Sequence, residues 1–381
     1  MVKRTRSAAL PALLLSLLLT VCTAVPALGQ DGDVEALLFQ MTLHEKVCQL
    51  FFVQPEQFSR LDRVNAPSAA LRRAFSRFPV GGVALFESNI RKSTLSSLTA
   101  SLREYARNSR GIAPFLGVDE EGGGVSRLAN KLKLKEKQPA AGIIGQSGDP
   151  RQAYRAALTI GAYLKQYGFQ VDFAPVADVR TDVKRAEIGI RSFGGDPSAV
   201  ASMTAAFVQG LTEQGILPVL KHFPGHGAVS GNTHKGLGLS GRTAEEWRQA
   251  DFVPFQAGLK AGARMVMLSH QSAPAVDPEH PASLSPIVAG LLRQELGFQG
   301  VILTDALRMD AIRDLYGSGE ACVLAIEAGA DMLLLPYNFT NGYNGVMDAL
   351  RSGRLTESRI DESVRRILTL KLDAGLIIGV P

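Results

Sequence analysis

GVILTDA, residues 300–306, lines up Val301, Ile302 and Leu303 and then stops on Thr304 and Asp305. An apolar run this short, with no polar alternation, reads as a strand buried on both faces, as strands of parallel sheets are. The same design recurs along the chain: QLFFV (49–53), GGVALF (81–86), PFLGV (114–118), QVDFAPV (170–176), LPVLKHF (217–223), RMVMLSH (264–270) and DMLLLP (331–336). Helix-patterned segments separate these runs, among them STLSSLTASLREYARN, DPRQAYRAALTIGAYLKQYG, DPSAVASMTAAFVQGLTEQG and SLSPIVAGLLRQELG. Several open on Asp or Ser and close at Gly, as helix ends prefer.

Strands alternating with helices over this length predict an α/β fold of the (β/α)8 TIM-barrel type, in a single domain. An open doubly wound sheet would give the same alternation. The barrel carries a further expectation, because functional groups of barrels collect at the C-terminal ends of strands. Asp119, Asp178, Lys221 with His222, His270 and Asp305 all fall at such ends, after nearly pure apolar interiors. They are expected to converge on one polar pocket.

The first 29 residues follow a different logic. Lys3, Arg4 and Arg6 precede the apolar run AALPALLLSLLLTVCTAV, and PALGQ then places small residues before Gln30. This is the layout of a cleaved secretory signal peptide, with 30–381 as the folded domain that remains. The expected location is periplasmic or extracellular. A lipoprotein signal using Cys22 is the rival reading, weakened by bulky Val21 before it. The three basic residues account for part of the formal charge of +5, so cleavage leaves +2 and no case for nucleic-acid binding. No stable membrane span and a monomeric chain are the expectations. Cys48 and Cys322 lack metal-ligand spacing and could pair as a disulfide; the apolar setting VCQLFF favours two buried thiols. Trp247 is expected to pack between a helix and the barrel, with His44 and His280 as surface or capping residues.

KHFPGHGAVSGNTHKGL, residues 221–237, holds three of the six histidines. His222 and His226 stand four apart, the spacing that binds metal on a helix, but Phe-Pro-Gly between them forbids a helix, and Lys221 would repel a cation. No metal is expected. The acids of DEEGGG (119–124) argue against phosphate, and no nucleophile elbow of the G-x-S-x-G type occurs. A strand-end carboxylate, a candidate proton donor and a ring of polar residues remain. Those are the parts of a glycosidase, in which histidine can serve as acid and then base near neutral pH.

Taken together, KHFPGHG with its downstream T-H, DEEGGGVSR, IGIRSFG, DFAPVADV and TDALRM resemble glycoside hydrolase family 3, in its single-domain β-N-acetylglucosaminidase (β-hexosaminidase) branch. The resemblance spans about residues 36 to 375. It implies a retaining enzyme, without cofactor, acting on N-acetylglucosamine ends of peptidoglycan fragments or chitin-like oligosaccharides. It assigns Asp305 as nucleophile, and His234, on a loop, as the acid/base. It also implies that Asp119, Arg127, Arg191, Lys221 and His222 bind the sugar, while His226 orders the loop.

The chain departs from the pattern at Asn232, where the acid/base histidine normally has an aspartate partner two residues earlier, and at Glu120, where glutamine is usual. An asparagine can orient an imidazole but supplies no charge to stabilise the imidazolium. A family 3 β-glycosidase with another sugar preference, or a catalytically weakened glycan-binding barrel, are the alternatives.

Overall fold

The structure, a computed structural model, describes residues 1–2, 30–108, 110–181, 188–230 and 236–377. The signal-peptide reading of residues 1–29 therefore falls, apart from the first two residues, outside the described residues. Among the described residues no helix is long and apolar enough to cross a membrane.

All eight apolar runs form strands: β1 (Phe51–Val53), β2 (Gly82–Ala84), β3 (Phe115–Val118), β6 (Val171–Asp172), β7 (Leu217–Phe223), β8 (Met265–Leu268), β9 (Val301–Thr304) and β10 (Leu333–Leu334). Every pairing among them is parallel, in the order β10-β1-β2-β3-β6-β7-β8-β9. A parallel bridge between Leu303 and Met332 joins the two ends, and the Thr304 N–H donates to the Met332 carbonyl at 3.1 Å. The sheet thus curls into a barrel rather than lying open.

Interior packing explains two glycines. A Cβ at Gly82 or Gly117 would stand 2.5 and 2.8 Å from the Phe52 ring. The two bare backbones make room for that ring, which meets Phe173 edge-on at 5.2 Å between centroids.

The outer helices start where the sequence places caps. Asp149 and Asp196 cap Pro150–Gln166 and Pro197–Glu213, each with proline in the first turn. Trp247, expected to pack between a helix and the barrel, is fully buried and stacks on Phe252 at 6.4 Å. His44 caps a helix end, its Nε2 lying 2.8 Å from the carbonyl of Arg77, while His280 lies beside Asp277. Cys48 and Cys322 are both free and buried.

One further element was not among the eight apolar runs. DEEGGGVSR forms a small antiparallel hairpin of β4 (Glu120–Gly122) and β5 (Val125–Ser126) at the end of β3. Gly122 and Gly123 turn it with φ of +94° and +59°. A side chain at Gly122 would also meet the Pro139 carbonyl at 2.3 Å.

Candidate active site

Of the strand-end residues expected to converge, Asp119, Lys221, His222 and Asp305 line one cavity, while Asp178 and His270 do not reach it. A cavity of about 260 Å³ opens at the C-terminal end of the barrel, lined by Asp119, Glu121, Arg127, Arg191, Lys221, His222, His226 and Asp305, with Arg308 and Phe86 in its wall. All five residues predicted to bind substrate reach it, as does Asp305. Asn232 and His234 lie outside the described residues.

Lys221 sits at the centre of the charge pattern. Its ammonium, 3% exposed, lies 2.9 Å from Asp119 Oδ1 and 2.6 Å from Glu121 Oε1. Arg127 takes the other oxygen of Asp119 at 2.9 Å and reaches out to Glu87 at 2.8 Å. Arg191 grips both oxygens of Glu121 at 2.7 and 2.8 Å. Such a forked pairing fixes the plane of both groups. Burial would raise the pKa of each acid, but the charges of Lys221 and Arg127 hold Asp119 below its ordinary value, and those of Lys221 and Arg191 do the same for Glu121.

The hairpin explains how Asp119 and Glu121 act together. Side chains along an extended strand alternate faces, so residues 119 and 121 share the cavity side and Glu120 points the other way. There Glu120 accepts from the N–H groups of Leu128 (2.8 Å) and Ala129 (3.1 Å) and from the Tyr163 hydroxyl (2.9 Å). It serves the start of the helix Arg127–Leu132, the helix that carries Arg127. Glu121 was missed in the sequence, where three adjacent acids read only as a barrier to phosphate; the period of two was the available signal.

His222 is fixed from behind. Its Nδ1 lies 2.7 Å from Asp178 Oδ2, and because an ionised carboxylate only accepts, Nδ1 carries the proton. Asp178 also accepts from the backbone N–H groups of His222 (3.2 Å) and His226 (2.6 Å). One buried carboxylate therefore orders both the strand end and the loop that follows. Burial pushes Asp178 up, but the charge of His222 prevails and lowers it. His226 does more than the ordering expected of it, since it also lines the cavity.

Asp305 follows β9 directly. Its N–H donates to Leu268 at 2.8 Å, and its Oδ1 accepts from the Ala306 N–H at 2.7 Å. No described residue donates to its second oxygen. Behind it, buried His270 touches the Ala306 carbonyl with Nε2 (3.0 Å) and Ser283 with Nδ1 (2.7 Å). Burial lowers the pKa of His270, and its Nε2–H donates to the Ala306 carbonyl, pinning the turn after β9. Burial would raise Asp305, yet the charges of His270 and His222 and the Ala306 N–H leave it lowered.

The three cavity acids are thus not equivalent. Asp119 and Glu121 have their oxygens taken by cations, whereas Asp305 keeps one oxygen that no described residue engages. An ionised carboxylate in that condition can attack an electrophilic carbon. No group of histidine, cysteine and acids suited to a metal ion occurs among the described residues.

Similarities to known proteins agree with this geometry. The model of the glycosyl hydrolase family 3 N terminal domain matches residues 42–370. Beta-hexosaminidase LpqI of Mycobacterium tuberculosis is 34% identical over 314 residues, covering 80% of this chain and 79% of that protein. The solved structure of M. tuberculosis LpqI superposes with a TM-score of 0.79 at 32% identity, over 89% of this chain and 96% of that one. A family 3 β-N-acetylglucosaminidase from Paenibacillus sp. gives a TM-score of 0.81 at 34% identity, over 89% of this chain but only 64% of the longer relative. A barrel whose strand ends carry this acid and base pattern, matched along most of its length by that family's model, places the chain in glycosyl hydrolase family 3.

Proposed function

We propose that this chain is an exported, retaining β-N-acetylglucosaminidase that removes terminal β-linked N-acetylglucosamine from peptidoglycan fragments or chitin-like oligosaccharides. The observation that carries the reading is the contrast between Asp305 and its neighbours: it is the cavity acid with an oxygen that no described residue engages. The names of the relatives supply the sugar. Asp305 attacks the anomeric carbon while His234, as imidazolium, gives its proton to the departing oxygen. The neutral imidazole then takes a proton from water, which attacks the same carbon and frees the Asp305 carboxylate. Asp119, Arg127, Arg191, Lys221 and His222 hold the ring hydroxyls. Glu121 orients Lys221 and Arg191 toward them. In this reading residues 1–29 are removed on export, residues 30–381 form the working enzyme, and neither metal nor organic cofactor takes part.

Asn232 gives the reading its most specific consequence. Without an anionic partner, His234 should have a lower pKa and protonate poor leaving groups slowly. Natural glycans suffer more than activated aryl glycosides.

The test is to offer p-nitrophenyl β-glycosides of N-acetylglucosamine and of glucose to the wild type and to Asp305→Ala. Turnover of the first substrate, lost in the variant, supports the proposal. Turnover of glucoside alone, or of neither despite binding of N-acetylglucosamine, overturns it. Asn232→Asp should raise kcat/KM on a chitin-type disaccharide more than on the aryl glycoside.

A further inference from the structure

Arg308 is a cavity cation left without a counter-charge by the described residues. The other three are committed: Lys221 to Asp119 and Glu121, Arg127 to Asp119 and Glu87, and Arg191 to Glu121. Among the described residues Arg308 has one polar partner, Gln54 Oε1, which accepts from its Nη1 at 2.5 Å. Among the described residues no carboxylate comes within the 4.0 Å of an ion pair. Its guanidinium carbon lies 5.0 Å from the centre of the Phe86 ring, and that of Arg127 lies 4.7 Å from the same centre. Two guanidinium groups thus share one ring in a single wall.

That placement is costly. Burial first, and then the positive field of Arg127, lower the pKa of Arg308, with only Asp119 acting the other way. If the residue served merely to cover Phe86 and hold Gln54, a neutral side chain would suffice without a half-buried charge. Its remaining donors lie in a ligand cavity, and a planar guanidinium matches an oxyanion with two parallel hydrogen bonds.

We propose that Arg308 makes this pocket selective for an anionic glycan, with a carboxylate, sulfate or phosphate oxygen of the substrate docking on its guanidinium beside Phe86. The inference rests on the glycosidase reading for the nature of the ligand. Gln54 follows β1 and Phe86 follows β2, neighbouring strands of the barrel. Two sources offer the anion: a charged group on the terminal sugar, or a carboxylate on the leaving group.

Three β-N-acetylglucosaminides separate these cases: a neutral umbelliferyl glycoside, its 6-sulfate on the sugar, and one with a carboxylate on the umbelliferyl group. For the wild type, kcat/KM on one anionic substrate should exceed the neutral value by roughly tenfold, the scale of a charge-assisted contact. Arg308→Met should bring that ratio to about one, and Arg308→Lys should keep part of it. Calorimetry with N-acetylglucosamine and its 6-sulfate reads the same preference without turnover. An Arg308-dependent ratio in either arm supports the proposal and locates the anion. Equal values for neutral and anionic ligands, or a preference that survives Arg308→Met, overturn it. Neutral turnover without anion preference would sink this inference alone, whereas anion-selective binding without any turnover would sink the glycosidase reading alone.

Discussion

The carboxylate of Asp178 stands 2.7 Å from His222 Nδ1 and, through its other oxygen, holds the backbone N–H groups of His222 and His226. Asp178 is fully buried and touches none of the cavity space itself. Its effect is to fix the imidazole tautomer and the course of the loop. Asp178→Asn should lower kcat/KM on a p-nitrophenyl substrate on the order of a hundredfold, mostly through KM if His222 binds sugar. An unchanged KM with reduced kcat would place His222 in the chemical step instead.

Glu120 predicts a dependence of stability on pH. Burial pushes its carboxyl up to about 7, against the hydrogen bonds from Leu128, Ala129 and Tyr163 that favour the ionised form. Asp172, whose carboxylate accepts from the Glu120 N–H at 3.0 Å, is pushed up as well, by burial and by Glu120. A carboxyl raised on folding binds its proton more tightly in the native state. Its stabilising contribution is complete below the ordinary value of 4.5 and is lost as pH climbs to about 7. Thermal unfolding followed from pH 4.5 to 7.5 should show a falling Tm, and Glu120→Gln, which cannot ionise, should flatten that slope. The flattening corresponds to about 3 kcal/mol over that window. An identical slope in the variant would reject the assignment.

Lys371 is buried at the opposite end of the barrel from the cavity, donating to Gln49 Oε1 at 2.6 Å and lying 5.1 Å from the Phe115 ring. Burial lowers its pKa well below the ordinary value. The unfolded chain then holds the proton more tightly, so this residue makes stability rise with pH through the window between the two values. Lys371→Met should stabilise the protein by roughly 1–3 kcal/mol, with a larger gain at pH 6 than at pH 9. Chemical unfolding at the two pH values checks both the sign and the trend.

Gly145 governs the seat of Arg191. A Cβ there would stand 1.7 Å from the Phe193 carbonyl, so the segment Gly189–Arg191 and its continuation must shift to admit it. Gly145→Ala should raise KM by about tenfold or more, because Arg191 loses its forked contact with Glu121. The far-ultraviolet circular dichroism should stay unchanged, since the barrel strands lie elsewhere. A loss of signal would show that the glycine supports the fold as a whole.

By itself, the sequence determined the strands and the residues at their ends, while closure of the sheet into a barrel was decided by the bridge between Leu303 and Met332. Apolar runs such as GVILT and PFLGV encode burial on both faces, and burial is a local property of side chains that survives in one dimension. The acids and bases after β3, β7 and β9 were legible for the same reason, as polar groups where the pattern breaks. Only the tertiary structure decided which of them are committed to one another. Glu121 joined the site because a hairpin formed at residues whose acids had read only as a barrier to phosphate. Arg308 entered it because the turn after β9 brings its guanidinium to Gln54 and Phe86, which follow β1 and β2. Pairing between charges depends on distances of a few ångströms across the barrel mouth, and residues more than two hundred positions apart acquire such distances only when the sheet closes.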